Sequence, residues 1–578
     1  MNPRTSAPHR TPRARRVRRL TRLLLAGAAA VTLLATGCSG GAEGSGGGGG
    51  DSASTLIAYT GQAGDYQVNF NPYSPSDIGG AGLIFEPLFF INKTAADAEP
   101  KPLLGTEQSW NADGTQLSVT LRAGATWSDG EPFTADDVVF TFQMLLDNES
   151  LNSTGFDGAV AKVDDTHVTF TWPEPAYTSG PDVLSSIVIV PEHLWKDIDP
   201  EADVLEEPVG TGAYVLSDFK GQAFTLDANP KHWGGAPKVS TVRFLALSGN
   251  QAGADAIAAG TIDWQTGPIP DMANTHENFP DYDTGSVAQN QMVLGTCASA
   301  ALGCQGPQTD PAVRQALFHA IDRTQLNKLA FQDTAAEISP SMALTSTQAD
   351  TISAQVEPKV APMTAQPQEA ARLLEAAGWV KGADGIYAKD GEKLSLTIEV
   401  VTGWTDYITA IQTIAAQAKA AGIQVEAAQS SWNEWTDKRF KGDFELAIDS
   451  LWQGPAPDPF YLYSYFYDGR MTAPVGTKAN GNNWSRFSDP AVDAALDALQ
   501  KLSPEDTAGR QAQFDVIQSA VATQMPYIPV MTGSNTSVWN TAKFSGWPVD
   551  GEQYAFPAVW SDFDAAEILK TVTPKAAG

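Results

Sequence analysis

Three groupings of residues in this chain have side chains that could do chemistry. The first is a band of aromatics and acids: Trp404, Asp406, Tyr407, Trp432, Trp435, Asp449, Trp452, Asp458, then Tyr461, Tyr463, Tyr465 and Tyr467, and Trp484. Indole faces beside carboxylates offer apolar contact and hydrogen-bond acceptors, the chemistry of holding a ligand rather than of breaking a bond. The second is three cysteines, Cys38, Cys297 and Cys304. The third is six histidines, scattered along the chain. None stands in an HExxH or near a Cys cluster, and no nucleophile elbow occurs. Gly210-Thr211-Gly212 lacks the lysine and the later glycines of a phosphate loop. Enzymatic chemistry therefore has no home, no cofactor or metal is expected, and nickel is disfavoured by so few histidines.

The 578 residues exceed what one core serves and predict two or three lobes. Residues 1–37 hold eight arginines and no acid, so removing them takes the net charge from −30 to −38. A surface this acidic disfavours nucleic acid and anionic headgroups as partners and favours solubility. Arg13–Arg22 is a basic region, and Leu23–Leu34 an apolar run too short to span a bilayer, which together read as an export signal. Ala35-Thr36-Gly37-Cys38 looks like a lipobox with Ala where Leu is usual, which makes Cys38 the lipidated residue. Two acyl chains suffice for stable anchoring. Residues 39–50 are almost wholly Gly and Ser, a flexible tether of about 20 Å reach. Outside the cytoplasm, Cys297 and Cys304 are expected to pair, closing a short loop worth roughly 2–3 kcal/mol locally.

The elements that must position such a site can be read from spacing. Leu117–Leu121 alternates as a strand, Asp129-Gly130 suits a tight turn, and Thr134 ahead of Ala135-Asp136-Asp137 caps a helix whose apolar stripe runs Val138, Val139, Phe142, Leu145, Leu146. Pro311 opens a second helix with the stripe Val313, Ala316, Leu317, Ala320, Ile321. His319 on it reads as structural. Glu369–Ala377 and Tyr407–Ala421 are further helices ended by glycine, and Leu394–Ile398 is a strand. Ile187–Pro191 is expected to be an apolar strand, and the 461–467 tyrosine run, with its period of two, a half-buried strand or loop.

The pattern Leu121-Arg122-x-Gly124-x-x-Trp127-Ser128-Asp129-Gly130, followed by Phe133-Thr134-Ala135-x-Asp137-Val138, resembles the signature of extracellular solute-binding protein family 5. Further motifs follow in the family's order: Pro208-Val209-Gly210-Thr211-Gly212-Ala213-Tyr214, Asn229-Pro230-Lys231-His232-Trp233-Gly234-Gly235, Val313–Arg323 and Met525–Val530. The resemblance implies a two-lobed α/β periplasmic-binding-protein fold of cluster C, with an extra subdomain in the first lobe. Its divisions are a signal peptide at 1–37, lipidated Cys and tether at 38–53, the first lobe's opening strand at 54–75, the extra subdomain at 76–204, and first lobe again at 205–294. The second lobe is 295–525 and the return to the first lobe 526–578. A helix through Glu86-Pro87-Leu88 and a hinge near Met292–Gly295 are implied as well.

In function, the resemblance implies a non-enzymatic, monomeric substrate-binding component of an ABC importer. It would be lipid-anchored on the outer face of the cytoplasmic membrane and deliver ligand to permease and ATPase subunits. Ligand-binding candidates are Trp452, Trp435, Trp404, Asp449, Asp458, Asp406, Tyr73 and Asp77. Peptide binders of the family hold the ligand's α-amino group with the Asp of a W-x-x-D-Y-x-D-P segment. Here that position falls on Pro455 or Gly454, so the carboxylate is missing or moved to Asp449, and acetylating a bound peptide is expected to change its affinity little. Peptide is the first ligand reading and oligosaccharide the second, since sugars offer apolar faces to Trp and hydroxyls to Asp. A secreted, lipid-anchored glycosidase with paired acids is the remote alternative.

Overall fold

Two long strands run antiparallel to each other through the middle of the molecule. They are Tyr282–Thr296 and Tyr527–Asn540, paired from Tyr282↔Asn540 to Gly295↔Tyr527 with register shifts at Ala288/Asn290 and Met292/Val293. The computed structural model describes residues 54–576 apart from 62–64, 75–76, 79, 97, 149–150, 153, 268, 480 and 550–551. Cys38, the expected signal peptide and the tether lie outside the described residues. Among the described residues, no helix is long and apolar enough to cross a membrane.

The long pair unites a ten-stranded sheet. On one side Leu446–Leu451 lies antiparallel to Tyr282–Thr296, followed by the parallel strands Ser395–Val401 and Gln424–Ser430. On the other, Tyr527–Asn540 pairs with Trp264–Thr266, and Thr55–Tyr59, Thr241–Leu245, Ala223–Ala228 and Tyr214–Lys220 follow. Each side has its own core, one around Ile398, Ile448, Leu317 and Tyr527, the other around Phe224, Phe244, Trp264 and Trp539. Tyr527–Asn540 contributes to both, Tyr527, Ile528 and Val530 to the first and Trp539 to the second.

The extra subdomain is a separate four-stranded sheet with Gln116–Leu121 inside it, paired to Gly105–Trp110 and His167–Thr171. The helix Ala135–Asp147 packs on it through Val138, Phe142 and Leu145. Its start is a capping box: Thr134 Oγ1 accepts from Asp136 N at 3.2 Å, and Asp137 Oδ2 accepts from Thr134 N at 2.9 Å. Asp137 also accepts from Glu192 N at 3.0 Å and from the fully buried Trp127 at 3.4 Å. One carboxylate thus joins the helix start, the buried Trp127 ahead of the tight turn, and the start of the short helix Glu192–Trp195.

In the second lobe Asp310 caps Pro311–Ala320, accepting from Ala312 N at 2.9 Å. Val313, Ala316, Leu317 and Ala320 are buried as the stripe requires. Two arginines in this segment fix it to the chain's return. Arg314 donates to Gln524 O at 2.7 Å, and the fully buried Arg323 donates to Val530 O at 2.9 Å and Pro529 O at 2.7 Å. His319 hydrogen-bonds Gln366 at 2.8 Å, and burial lowers its pKa. Cys297 and Cys304 are disulfide-bonded, with Cα atoms 5.5 Å apart.

Three expectations about elements are corrected. No helix covers Glu86-Pro87-Leu88; a short 3-10 turn at Ala81–Leu83 precedes them and Phe89–Phe90 is a strand, Pro87 lacking the N–H a helix interior needs. Ile187–Val190 is buried but joins no sheet; Val190 N instead donates to Thr141 Oγ1 at 3.1 Å. The tyrosine run belongs to the helix Pro459–Phe466.

Candidate functional site

That tyrosine helix forms one wall of a cavity of about 1,320 Å³ between the extra subdomain and the second lobe. Asp458 caps the helix, its Oδ1 accepting from Phe460 N at 2.9 Å, and Pro459 occupies the first turn. Helical spacing then sorts the aromatics into two sets. Phe460, Tyr461, Ser464 and Tyr465 border the cavity. Tyr463 and Tyr467 point into the core, Tyr463 donating to Ser341 O at 2.7 Å and Tyr467 lying 5.2 Å from the Tyr527 ring. The loop before the helix lies directly against it. Gly454 has φ of +98°, and a Cβ there would sit 2.2 Å from Tyr461 Cβ. No side chain fits at Gly454, so at this position the loop cannot carry an anchoring carboxylate.

The facing wall comes from the extra subdomain. It consists of Phe156, Trp172 and the stretch Pro173–Ala176, with Thr178, Ser179 and Asp182 beyond. Two contacts join the walls. Tyr461 donates its hydroxyl to Thr178 O at 2.9 Å, and Lys501 pairs with Glu174. The second contact is solvent-exposed and contributes little.

Charge at the cavity is unevenly engaged. Asp468 is held by Arg470 at 2.7 Å, and Lys501 by Glu174. Among the described residues Asp182 accepts only a 3.3 Å hydrogen bond from Ser186, and loss of water pushes its carboxyl up to about 7.

The expected site residues fall into separate groups. Trp452 is 48% exposed, and its ring meets that of Tyr465 edge-on at 5.0 Å, so it flanks the cavity. Trp404 is half-buried, with Tyr407 and Trp435 rings at 5.4 and 5.2 Å. Trp435 is fully buried beneath the Arg439 guanidinium, 3.6 Å from its ring. This corrects its reading as a ligand platform: it is a packing residue, because a ring of that area has no face left for ligand. Asp449 is ion-paired with the same Arg439, so the idea that the missing carboxylate moved there is also corrected. Asp458 is occupied by its helix cap and by Arg510. Asp406 is exposed in the first turn of Thr405–Ala420. Tyr73 hydrogen-bonds Val188 O and packs edge-on against Trp195 at 6.0 Å. Asp77 has its carboxyl raised to about 6, by desolvation first and then by Asp562. Of the eight, none borders the cavity directly. Tyr461 and Tyr465, which do border it, were named in the aromatic band but not among the eight, although the i, i+4 spacing and the Asp-Pro helix start could have singled them out; Thr178 and Asp182 were missed, since they follow an irregular stretch without periodic signal.

The family model described as bacterial extracellular solute-binding proteins, family 5 Middle, matches residues 99–473. The chain belongs to that family. This family 5 chain is 32% identical over 445 residues to Protein XP55 of Streptomyces lividans, covering 75% of this chain and 76% of that one. The fold matches a periplasmic oligopeptide-binding protein of Thermotoga maritima at TM-score 0.82 and 22% identity, covering 91% and 100% of the two chains. The structure of that protein with mannohexaose bound matches at TM-score 0.77 and 22% identity, covering 91% and 99%. AppA of Bacillus subtilis, in complex with a nonapeptide, matches at TM-score 0.69 and 20% identity, covering 90% and 99%. Family 5 proteins are non-enzymatic substrate-binding components of ABC transporters, working outside the cytoplasm, and this chain shares their mixed α/β cluster C fold.

Proposed function

We propose that this family 5 protein captures short peptides in the cavity between the extra subdomain and the second lobe and delivers them to an ABC permease. The observation that carries this is the cavity itself. At about 1,320 Å³ it exceeds the roughly 300–1,000 Å³ that suits a drug-sized ligand, so it suits an oligomer rather than a single amino acid or an ion. Its walls alternate aromatic faces with acids, lysines and amides, as a ligand of mixed side chains requires. Peptide-binding relatives support the choice, among them AppA of Bacillus subtilis.

Oligosaccharide is the second reading, favoured by the mannohexaose-bound relative. Native mass spectrometry of the purified protein, followed by calorimetry with a tripeptide-to-hexapeptide pool and with mannohexaose, separates the two. Peptide adducts and peptide heats are expected; heats from mannohexaose alone would overturn the peptide reading. Anchoring through Cys38 belongs to the same proposal, and Cys38→Ser should release the protein into the medium. Retention of that variant on the membrane would refute the anchor.

A further inference from the structure

The loop before the tyrosine helix offers the cavity no free carboxylate: Gly454 has no room for a side chain, Asp449 is bound by Arg439, and Asp458 by Arg510 and the helix it caps. The opposite wall carries one that is not so engaged. Asp182 lies on the short helix Ser179–Ser185, one turn past Thr178, where Tyr461 of the second lobe makes contact. Its carboxyl borders the cavity and is largely shielded from solvent. Ser186 Oγ at 3.3 Å is its hydrogen-bond partner, and no ion pair to Asp182 is seen among the described residues.

A carboxylate in such a position is poorly satisfied without a ligand, because one weak hydroxyl bond does not replace its water. Burial first, and then the Asp182 carboxyl, raises the hydroxyl pKa of Tyr461 and Tyr465 on the facing helix. Those rings border the same cavity, and the faces of such rings attract cations. The two cavity lysines do not neutralise Asp182: Lys501 is paired with Glu174, and Lys478 lies over the Phe440 ring at 5.8 Å.

We infer that Asp182, facing Tyr461 and Tyr465 across the cavity, is the anchor for an organic cation of the ligand, an ammonium or guanidinium group, and so selects peptides that carry one here. This rests on the peptide reading above. The group recognised is either the peptide's α-amino terminus or a lysine or arginine side chain; the chemistry at Asp182 is the same.

The test exposes wild-type protein, Asp182→Asn and Asp182→Ser to one pool of tripeptides to hexapeptides, and identifies the retained peptides by mass spectrometry. The pool is used in three forms: untreated, N-acetylated, and lacking lysine and arginine. Wild type is expected to retain cationic peptides at least tenfold over neutral ones. Both variants, melting within a few degrees of wild type, should lose that preference while still retaining neutral peptides. Loss of retention on acetylation assigns the cation to the terminus; loss in the pool without lysine and arginine assigns it to a side chain. Asp182→Asn with an unchanged charge preference would overturn the inference and leave the peptide reading standing. No peptide retained by wild type would overturn both.

Discussion

Replacing Trp452 by Ala tests whether the exposed ring beside Tyr465 serves the ligand or the fold. A tryptophan covers at most about 250 Å² when buried. With 48% of the residue exposed, roughly half of that is covered, or ~3 kcal/mol at about 25 cal/mol/Å². The ordering of the ring and the area kept by Ala reduce this to ~2 kcal/mol. Unfolding entropy is about 2.1 cal/mol/K per residue, hence ~1 kcal/mol/K for a folded part of roughly 500 residues. The free protein should therefore melt only ~2 °C lower, by differential scanning fluorimetry. If the ring closes over ligand, calorimetry with the retained peptide should show affinity at least tenfold weaker, about 1.4 kcal/mol. A drop in melting temperature beyond ~8 °C would make Trp452 a core residue, and unchanged affinity would remove it from the site.

Gly454→Ala places a methyl 2.2 Å from Tyr461 Cβ at φ +98°. The clash and strained backbone should cost about 3 kcal/mol, and a melting temperature equal to wild type would show that the loop stands clear of the helix. Asp137→Ala removes the acceptor for Thr134, Glu192 and Trp127; a loss of about 2–3 kcal/mol is expected, and a denaturant midpoint unmoved by the change would refute the capping account. The raised Asp182 carboxyl, about 7 against an ordinary 3.8, gives a signed pH dependence. Well below pH 3.8 the group is protonated folded and unfolded and has no effect. As pH rises towards 7 only the unfolded chain ionises readily, so stability falls, by at most ~4 kcal/mol and by about half that once solvent screening is allowed for. Free Asp182→Asn should thus gain stability over wild type at pH 8 relative to pH 4; an equal difference at the two pH values would contradict the burial described.

The sequence was most legible where an element's signal is local. Thr134 with Asp137, and Asp310 with Pro311, announce helix starts because the cap, the acid and the apolar stripe lie within a few residues. The same signals stood at Asp458-Pro459, but the tyrosines after it are apolar on two faces, one serving the core and one the cavity, so the period of two in the tyrosines masked a helix. Trp435 and Asp449 could not be placed from the sequence, since what removes both from the ligand is the one guanidinium of Arg439 packed on the first and paired with the second. Asp182 gave no signal, because its role depends on a wall from residues far away in the chain.

Tyr527–Asn540 follows the other nine strands of the sheet in the chain, yet it fills the centre between Tyr282–Thr296 and Trp264–Thr266. A chain stopped before residue 527 has two half-sheets with open facing edges, and Arg323 lacks the carbonyls of Pro529 and Val530. Neither half of the sheet can be finished until this strand has been made. Completion of the sheet therefore waits on its latest strand, whichever half forms first.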